Sequence, residues 1–289
     1  MKTTQADYYC KLAPLFCALA LSTQAHADVI SDWNLTAITA IKTAGIAPLP
    51  GTRALAMTHV AQFDAVNAVA GGYAPYAVTL SAPQASAEAA AAQAAHDVLV
   101  SLFPPQTAIL DAALAASLAV VPDDRAKTDG LALGHTVAAA VIALRASDGS
   151  TAVVPYVPGS GPGVWIPTPP AFAPALLPQW RYVTPWTMTV PEQFRPGPPP
   201  LLTSDLYTRD FNEIKALGRV DSAARPPEQT DTALFHFEAP AFTLGNATRA
   251  AVASHPLRLV DSARLFALVN MGMADALIAV WDAVHENDV

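Results

Sequence analysis

Cysteine is nearly absent. Cys10 and Cys17 are the only two in 289 residues, and both fall within the first 27. Positive charge is also scarce, with 16 Lys and Arg against 24 Asp and Glu and a formal net charge of −8. A nucleic acid or an anionic membrane is recognised through clustered Lys and Arg, so this composition argues against both as partners. No stretch shows sustained period-two alternation of apolar and polar residues, the pattern of a half-buried strand. No serine sits in a GxSxG turn, and no histidine belongs to an HExxH helix, so the common nucleophile-elbow and zinc-hydrolase signatures are missing. What remains is an alanine-rich, acidic chain of helical character.

The N-terminus reads as a leader. Lys2 and Lys11 precede an apolar run of eleven residues, Leu12 to Ser22, and Ala25-His26-Ala27 supplies a small-x-small cleavage pattern. This marks residues 1–27 as a signal peptide cut after Ala27, and predicts a periplasmic or secreted protein. The run is too short to span a bilayer, which takes about 20 residues. Cys17 lacks the small residue that a lipoprotein signal places before its cysteine. Cleavage leaves 262 residues without a disulfide or a thiol, and loss of Lys2, Lys11 and Asp7 moves the net charge from −8 to −9. A chain of that size folds without staples, because domains above roughly 150 residues bury about 70% of their surface.

Helical spacing recurs along the mature chain. Ser31 to Ala44 carries Trp33, Ala37, Ile38 and Ile41 on one side and stops at Gly45. Pro48 and Pro50 predict a bend, followed by a helix from Thr52 to Val69 closed by Gly71-Gly72. Further helices are expected from Ser86 to Phe103, Pro105 to Val120 and Arg125 to Arg145. Ser204 reads as the N-cap of DLYTRDFNEIKAL, with Leu206, Tyr207, Phe211, Ile214 and Leu217 facing inward. Pro226-Pro227 opens a helix carrying Leu234 and Phe235. Residues 240–256 are poorly patterned, with one short helix expected near Ala247 to Ala253. Asp261 is read as the N-cap of a last helix running to Ala283, ~34 Å long at 1.5 Å per residue. The fold class is therefore all-α, a bundle of eight or nine helices.

Between residues 148 and 203 the composition changes. Fourteen of the 26 prolines lie between Pro155 and Pro200, interleaved with Trp165, Phe172, Trp180, Tyr182, Trp186 and Phe194. Disordered proline-rich linkers lack such an aromatic load, so this reads as an ordered wrap pinned onto the helical body. Gly159-Ser160-Gly161-Pro162-Gly163 has the makings of an anion nest, but it neither follows a strand nor opens a helix, and turn chemistry explains it better.

Candidate site residues are few. Among His59, His96, His135, His236, His255 and His285 no two lie at i, i+3 or i+4, and His285 alone has a carboxylate at such a spacing, Asp282 and Asp288, without a second histidine to complete a metal set. His59 and Asp64, five residues apart, diverge by about 140°. On the last helix Arg264, Asp275 and Asp282 share one line along an otherwise apolar surface, with Asn270 elsewhere. A buried carboxylate must be paired or neutralised, so Asp275 and Asp282 either support a polar pocket or hydrogen-bond a neighbouring helix or loop. A transmembrane reading of that helix is disfavoured by Asn270 and by Asp275, which costs about 2.5–3.5 kcal/mol near a bilayer centre.

Four stretches in this order resemble the bacterial vanadium-dependent haloperoxidase family, part of the type-2 phosphatidic acid phosphatase and acid phosphatase superfamily. They are TRALAMTHVAQFDAVNAV (52–69), GSGPGVWIPTPPAFAPALLPQW (159–180), DFNEIKALG (210–218) and SARLFALVNMGMADALIAVWDA (262–283). Trp33-Asn34 and the exported context agree with them. The resemblance implies a helical bundle and an oxyanion site that binds vanadate for peroxide-driven halide oxidation, or phosphate in hydrolase relatives. In the family that site is built from a lysine followed six residues later by Arg-Pro, a Pro-Ser-Gly-His motif, and Ser-Arg with a final histidine. A densely anionic ligand needs that many cationic and hydrogen-bonding donors.

This sequence departs from the family there. The lysine is expected just after Trp281-Asp282-Ala283, where Val284 stands, and the later motifs have no counterpart. No catalytic, cofactor-binding or metal-binding residue is therefore assigned, and no vanadate is expected to bind. The expectation is of residues 28–289 as a haloperoxidase-like domain truncated before its site and inactive alone. Alternatives are a helical binding or assembly module, with a homo-oligomer or helical partner, and an acid phosphatase-like relative.

Overall fold

The computed structural model describes residues 28–255 and 257–287. The leader reading, with Cys10 and Cys17, lies outside the described residues. Among those described there are nine α-helices and no strand: α1 Val29–Ala44, α2 Pro48–Ala70, α3 Ala87–Leu102, α4 Thr107–Leu118, α5 Arg125–Arg145, α6 Asp205–Leu217, α7 Pro227–Phe235, α8 Pro240–Ser254 and α9 Leu259–Glu286.

Helix α2 is the axis of the bundle. Eighteen of its 23 residues are buried, so it is enclosed on nearly every side by α1, α3, α5 and α9. Pro48 and Pro50 do not bend the chain ahead of it. They lie in its first turn, where the amide they lack would have had no helical partner. The long α9 packs along α2 with its start beside the α2 C-terminus: Tyr73, just past α2, donates its hydroxyl to Asp261 at 2.6 Å. Their shared core joins Val60, Phe63 and Val66 with Val260, Phe266 and Met271. Helix α9 is the one helix among the described residues long and apolar enough to cross a membrane, yet twelve of its residues are buried in this protein core.

The alanine-rich α3 explains itself through α5. A Cβ added at Gly134 would sit 2.5 Å from the Ala90 carbonyl oxygen, and one at Gly130 would sit 2.5 Å from that of Ser86. The two backbones are in contact, which only small residues on both faces allow. Four helix starts carry side-chain caps: Asp28 accepts from Ser31 N, Ser86 from Ala89 N, Asp124 from Lys127 N and Ser204, as expected, from Tyr207 N.

Several boundaries differ from the sequence reading. α1 begins at Val29 with Asp28 as its cap, so Ser31 is already helical. α9 begins at Leu259 with Arg258 at the N-cap position, and Asp261 lies in the first turn, bound by the Arg258 guanidinium at 2.7 Å and 2.9 Å. α8 spans 15 residues where one short helix was expected, its pattern obscured because it buries only Ala241, Gly245 and Thr248. The largest departure is α6: no residue in it is buried, and Leu206, Phe211 and Ile214, expected to face inward, are exposed.

Candidate functional site

The acidic line on α9 faces the proline-rich wrap, and the two carboxylates hold it down. Asp275, 4% exposed, accepts from the backbone N–H of Trp186 at 2.6 Å, Thr187 at 2.7 Å and Met188 at 3.1 Å, and from the Thr187 hydroxyl at 2.6 Å. One turn of wrap thus satisfies all that a buried carboxylate requires. Asp282 receives Arg195 through Nε at 2.6 Å and Nη2 at 2.8 Å, a two-pronged pairing. Arg181 lies 3.6 Å from Asp282 and 2.8 Å from Glu286, and Arg195 reaches Glu286 at 3.3 Å. Trp281 adds an indole N–H to the Leu176 carbonyl at 2.9 Å. Of the two readings of these carboxylates, the hydrogen bond to a neighbouring loop is the one the geometry realises. Arg264, on the same line, lies over the Tyr73 ring at 4.8 Å.

Where the wrap leaves the body, a second charged knot forms that the sequence reading did not single out. Arg53 and Arg145 both bind Asp148 Oδ2, at 2.7 Å and 2.9 Å. Arg145 also donates to the Thr184 carbonyl at 2.6 Å and lies 4.1 Å above the Trp186 ring. Burial alone would raise the Asp148 pKa, but the Arg53 and Ser150 hydrogen bonds outweigh it and hold the carboxyl below its ordinary value. Asp64 on α2 repeats the Asp275 device, accepting from Tyr76 N, Ala77 N and Val78 N at 2.7, 2.6 and 3.1 Å. The single carboxylate of α2 was the available signal for Asp64. None existed for Arg53, whose partner lies 95 residues away.

The histidines do not gather into one site, although His96 and His135 meet at Asp97. His59 is fully buried between α1, α2 and α9, its ring stacked on Phe266 at 5.0 Å. Arg249 donates to Asn34 Oδ1, which turns the Asn34 amide so that Nδ2 donates to His59 Nε2 at 2.8 Å. His59 is therefore neutral with its proton on Nδ1. Burial pushes its pKa down to about 3, with the Gln62 amide opposing and the Arg249 charge adding to the shift. His96 lies between two carboxylates, Asp97 at 2.8 Å and Asp111 at 2.8 Å, and His135 reaches Asp97 at 2.7 Å. This cluster ties α3 to α4 and α5; each contact is a hydrogen bond rather than a metal-ligand arrangement, and no metal-competent group occurs among the described residues. His236 stacks edge-on to Phe235, His255 bonds Ser254, and His285 lies edge-on to Tyr156. The glycine-rich stretch forms a turn, Val164 N bonding Gly161 O at 3.4 Å.

Comparison with protein-family models and with curated proteins gives no match. Solved structures do match. The crystal structure of the first bacterial vanadium-dependent iodoperoxidase superposes with a TM-score of 0.73 at 19% identity, over 90% of this chain and 68% of that one. The fold is that of the bacterial vanadium-dependent haloperoxidases. The holo-type bacterial vanadium-dependent chloroperoxidase superposes at 0.57 and 17% identity, over 84% of this chain and 63% of that one. The chain thus spans about two thirds of the length of the haloperoxidase structures it matches.

Does the donor set described here suit vanadate? A haloperoxidase-type oxyanion needs several cations and hydrogen-bond donors left free to converge on it. Here Arg181 and Arg195 are committed to Asp282 and Glu286, two cations against two anions. Arg53 and Arg145 are spent on Asp148 and on backbone carbonyls. Among the described residues these sets do not fit a bound vanadate.

Proposed function

We propose that residues 28–287 form the scaffold part of an exported oxidoreductase of the vanadium haloperoxidase type, and that this part does not by itself hold the vanadate. The observation that carries the reading is the superposition on the iodoperoxidase over 90% of this chain. The four ordered stretches that resemble the family support it. The sequence lacks a lysine at the family's spacing before Arg195-Pro196 or Arg225-Pro226, and it lacks the Pro-Ser-Gly-His and the Ser-Arg with a final histidine, which supports the second half. On this account Asp275 and Asp282 are positioning residues, fixing the wrap against α9.

The test is to assay the protein cut at Asp28 for vanadate-dependent oxidation of iodide and bromide by peroxide, and for phosphatase activity. The expected result is no turnover above background in either assay. Robust halide oxidation would refute the claim that the scaffold lacks its site, and robust phosphatase activity would favour the hydrolase branch of the superfamily. A second reading, a helical binding module, draws on one observation, the exposed apolar face of α6 and α7.

A further inference from the structure

A groove of about 970 Å³ lies between the start of α1, the start of α3, helix α4 and the turn that joins α4 to α5. Small-molecule sites run from roughly 300 to 1,000 Å³, so the space suits a ligand of that class. Its apolar lining comes from Val29 and Trp33 of α1, Ala113 and Ala116 of α4, and Val120 and Val121 just past α4. Val120 is 85% exposed, so the body of the protein leaves this surface open. The walls are joined to each other: Trp33 donates its indole N–H to the Ser117 hydroxyl at 3.1 Å, which ties α4 to α1.

The polar lining is one-sided. Asp32, Glu88 and Asp124 contribute three carboxylates, and no Lys or Arg lines the groove among the described residues. Two cations in the first turn of α5 are engaged elsewhere. Lys127 donates to the Leu118 and Val121 carbonyls at 3.0 and 3.4 Å, and Arg125 pairs with Asp129 at 3.3 Å. The hydroxyl hydrogens of the lining are also in use: Ser117 donates to the Ala113 carbonyl at 3.1 Å, Thr36 to the Asp32 carbonyl at 3.0 Å and Ser86 to the Glu88 carboxylate at 3.2 Å. The carboxylates stand at helix starts, where negative charge offsets the positive end of the helix. That role does not exhaust them. Asp124 accepts the Lys127 N–H through Oδ1 at 3.0 Å, and a carboxylate has about four acceptor positions. The groove therefore presents apolar surface and acceptors, with its side-chain hydrogens already given.

We propose that this groove binds a small amphipathic organic cation, an amine with an alkyl or aryl body. The body lies on the apolar strip of Trp33, Ala116 and Val120, and the charged end meets Glu88 and Asp124. Three carboxylates repel an anion of the same shape, and a neutral molecule gains the apolar contact without the attraction. The net charge of −8 on the whole chain favours the same class of ligand at longer range. The inference stands apart from the haloperoxidase-type reading, because none of the groove's described lining residues belongs to α9 or to the wrap.

The test uses three probes with one apolar body: phenylpropylammonium, the matching alcohol and the matching carboxylate. Each is titrated into the full chain and followed by amide NMR. The ammonium is expected to shift amides of α4 and of the start of α1 saturably, and to bind about tenfold more tightly than the alcohol. Its binding weakens as salt rises. The carboxylate gives no saturable shift. Glu88→Gln combined with Asp124→Asn, the second keeping a capping side chain, weakens the ammonium about fivefold and leaves the alcohol unchanged. Ala116→Phe, which fills the groove, removes the binding of both. Three results would overturn the proposal: equal affinity for ammonium and alcohol, tighter binding of the carboxylate at the helix starts, or no saturable shift of the groove amides by the ammonium. All three are read on the unsubstituted chain, so they decide the matter whether or not a variant folds.

Discussion

Asp275 accepts the backbone N–H of Trp186 at 2.6 Å across 89 positions of chain, joining the core of α9 to the far end of the proline-rich wrap. Two further wrap amides and a hydroxyl converge on the same carboxylate. Asp275→Ala leaves three amides in a buried or half-buried place without their acceptor, and the expected cost is about 3–5 kcal/mol. Asp275→Asn, which turns an NH2 toward those N–H donors, is expected to cost about 2–3 kcal/mol. Urea unfolding checks both. A loss below about 1 kcal/mol for the alanine variant would show that the wrap holds without Asp275.

At the other end of α9 the Asp282 and Arg195 pair is less deeply buried, and Arg181 and Glu286 share its charge. Arg195→Ala is therefore expected to loosen the wrap locally rather than to destabilise the whole bundle, because solvent screens much of the pairing. Proteolysis in the wrap around Pro191–Phe194 should speed up while the bundle's unfolding midpoint moves little. Equal destabilisation of wrap and bundle would contradict this division.

The glycines of α5 give a packing prediction. Gly134→Ala places a Cβ 2.5 Å from the Ala90 carbonyl oxygen and 2.8 Å from the Gln93 Cβ, so α3 and α5 must separate. The expected loss is about 2–4 kcal/mol, against the gain of about 1 kcal/mol that alanine brings to an open helix position. Thermal unfolding of the variant measures it, and a rise in Tm would show that the two helices are not in backbone contact.

Two histidines give the stability profile opposite slopes. His59 is held at about 3 in the folded state against 6.5 unfolded. Its contribution is full above pH 6.5 and is lost as pH falls toward 3, at up to about 1.4 kcal/mol per pH unit. Between pH 6.5 and pH 5 that amounts to about 2 kcal/mol. For His96, the Asp97 hydrogen bond leads the upward shift, burial opposes it and Asp111 adds to it, so its contribution is full below 6.5 and is lost as pH rises through the raised value. Substituting His59 by Gln should flatten the acidic limb, and substituting His96 by Gln the alkaline one. Urea midpoints across pH 4–9 read both limbs, and unchanged slopes in either variant would contradict the assignment.

Much of the bundle was legible from spacing alone. The apolar residues of 52–69 and 262–283 recur at helical intervals because both helices lie in one core, and the helix expected from Arg125 to Arg145 has those bounds. The same logic failed for α6, where Leu206, Phe211 and Ile214 are as well patterned as any core stripe. Periodicity reports that a face seeks burial; it carries no information on whether a partner is present. The carboxylates of α9 were legible as buried groups needing partners, but the identity of those partners was not, because Trp186 and Arg195 approach through a wrap with no regular period. The Arg53 and Arg145 knot on Asp148 was invisible for the same reason.

On the function proposed above, this chain carries a haloperoxidase-type scaffold without the cationic cage that holds the oxyanion. Equilibrium dialysis of vanadate against the protein cut at Asp28, folded and monomeric, tests it most directly. The account predicts no saturable binding, and no change when Asp282→Asn relaxes the hold on Arg181 and Arg195. Saturable binding of one vanadate per chain to the unsubstituted protein would contradict it.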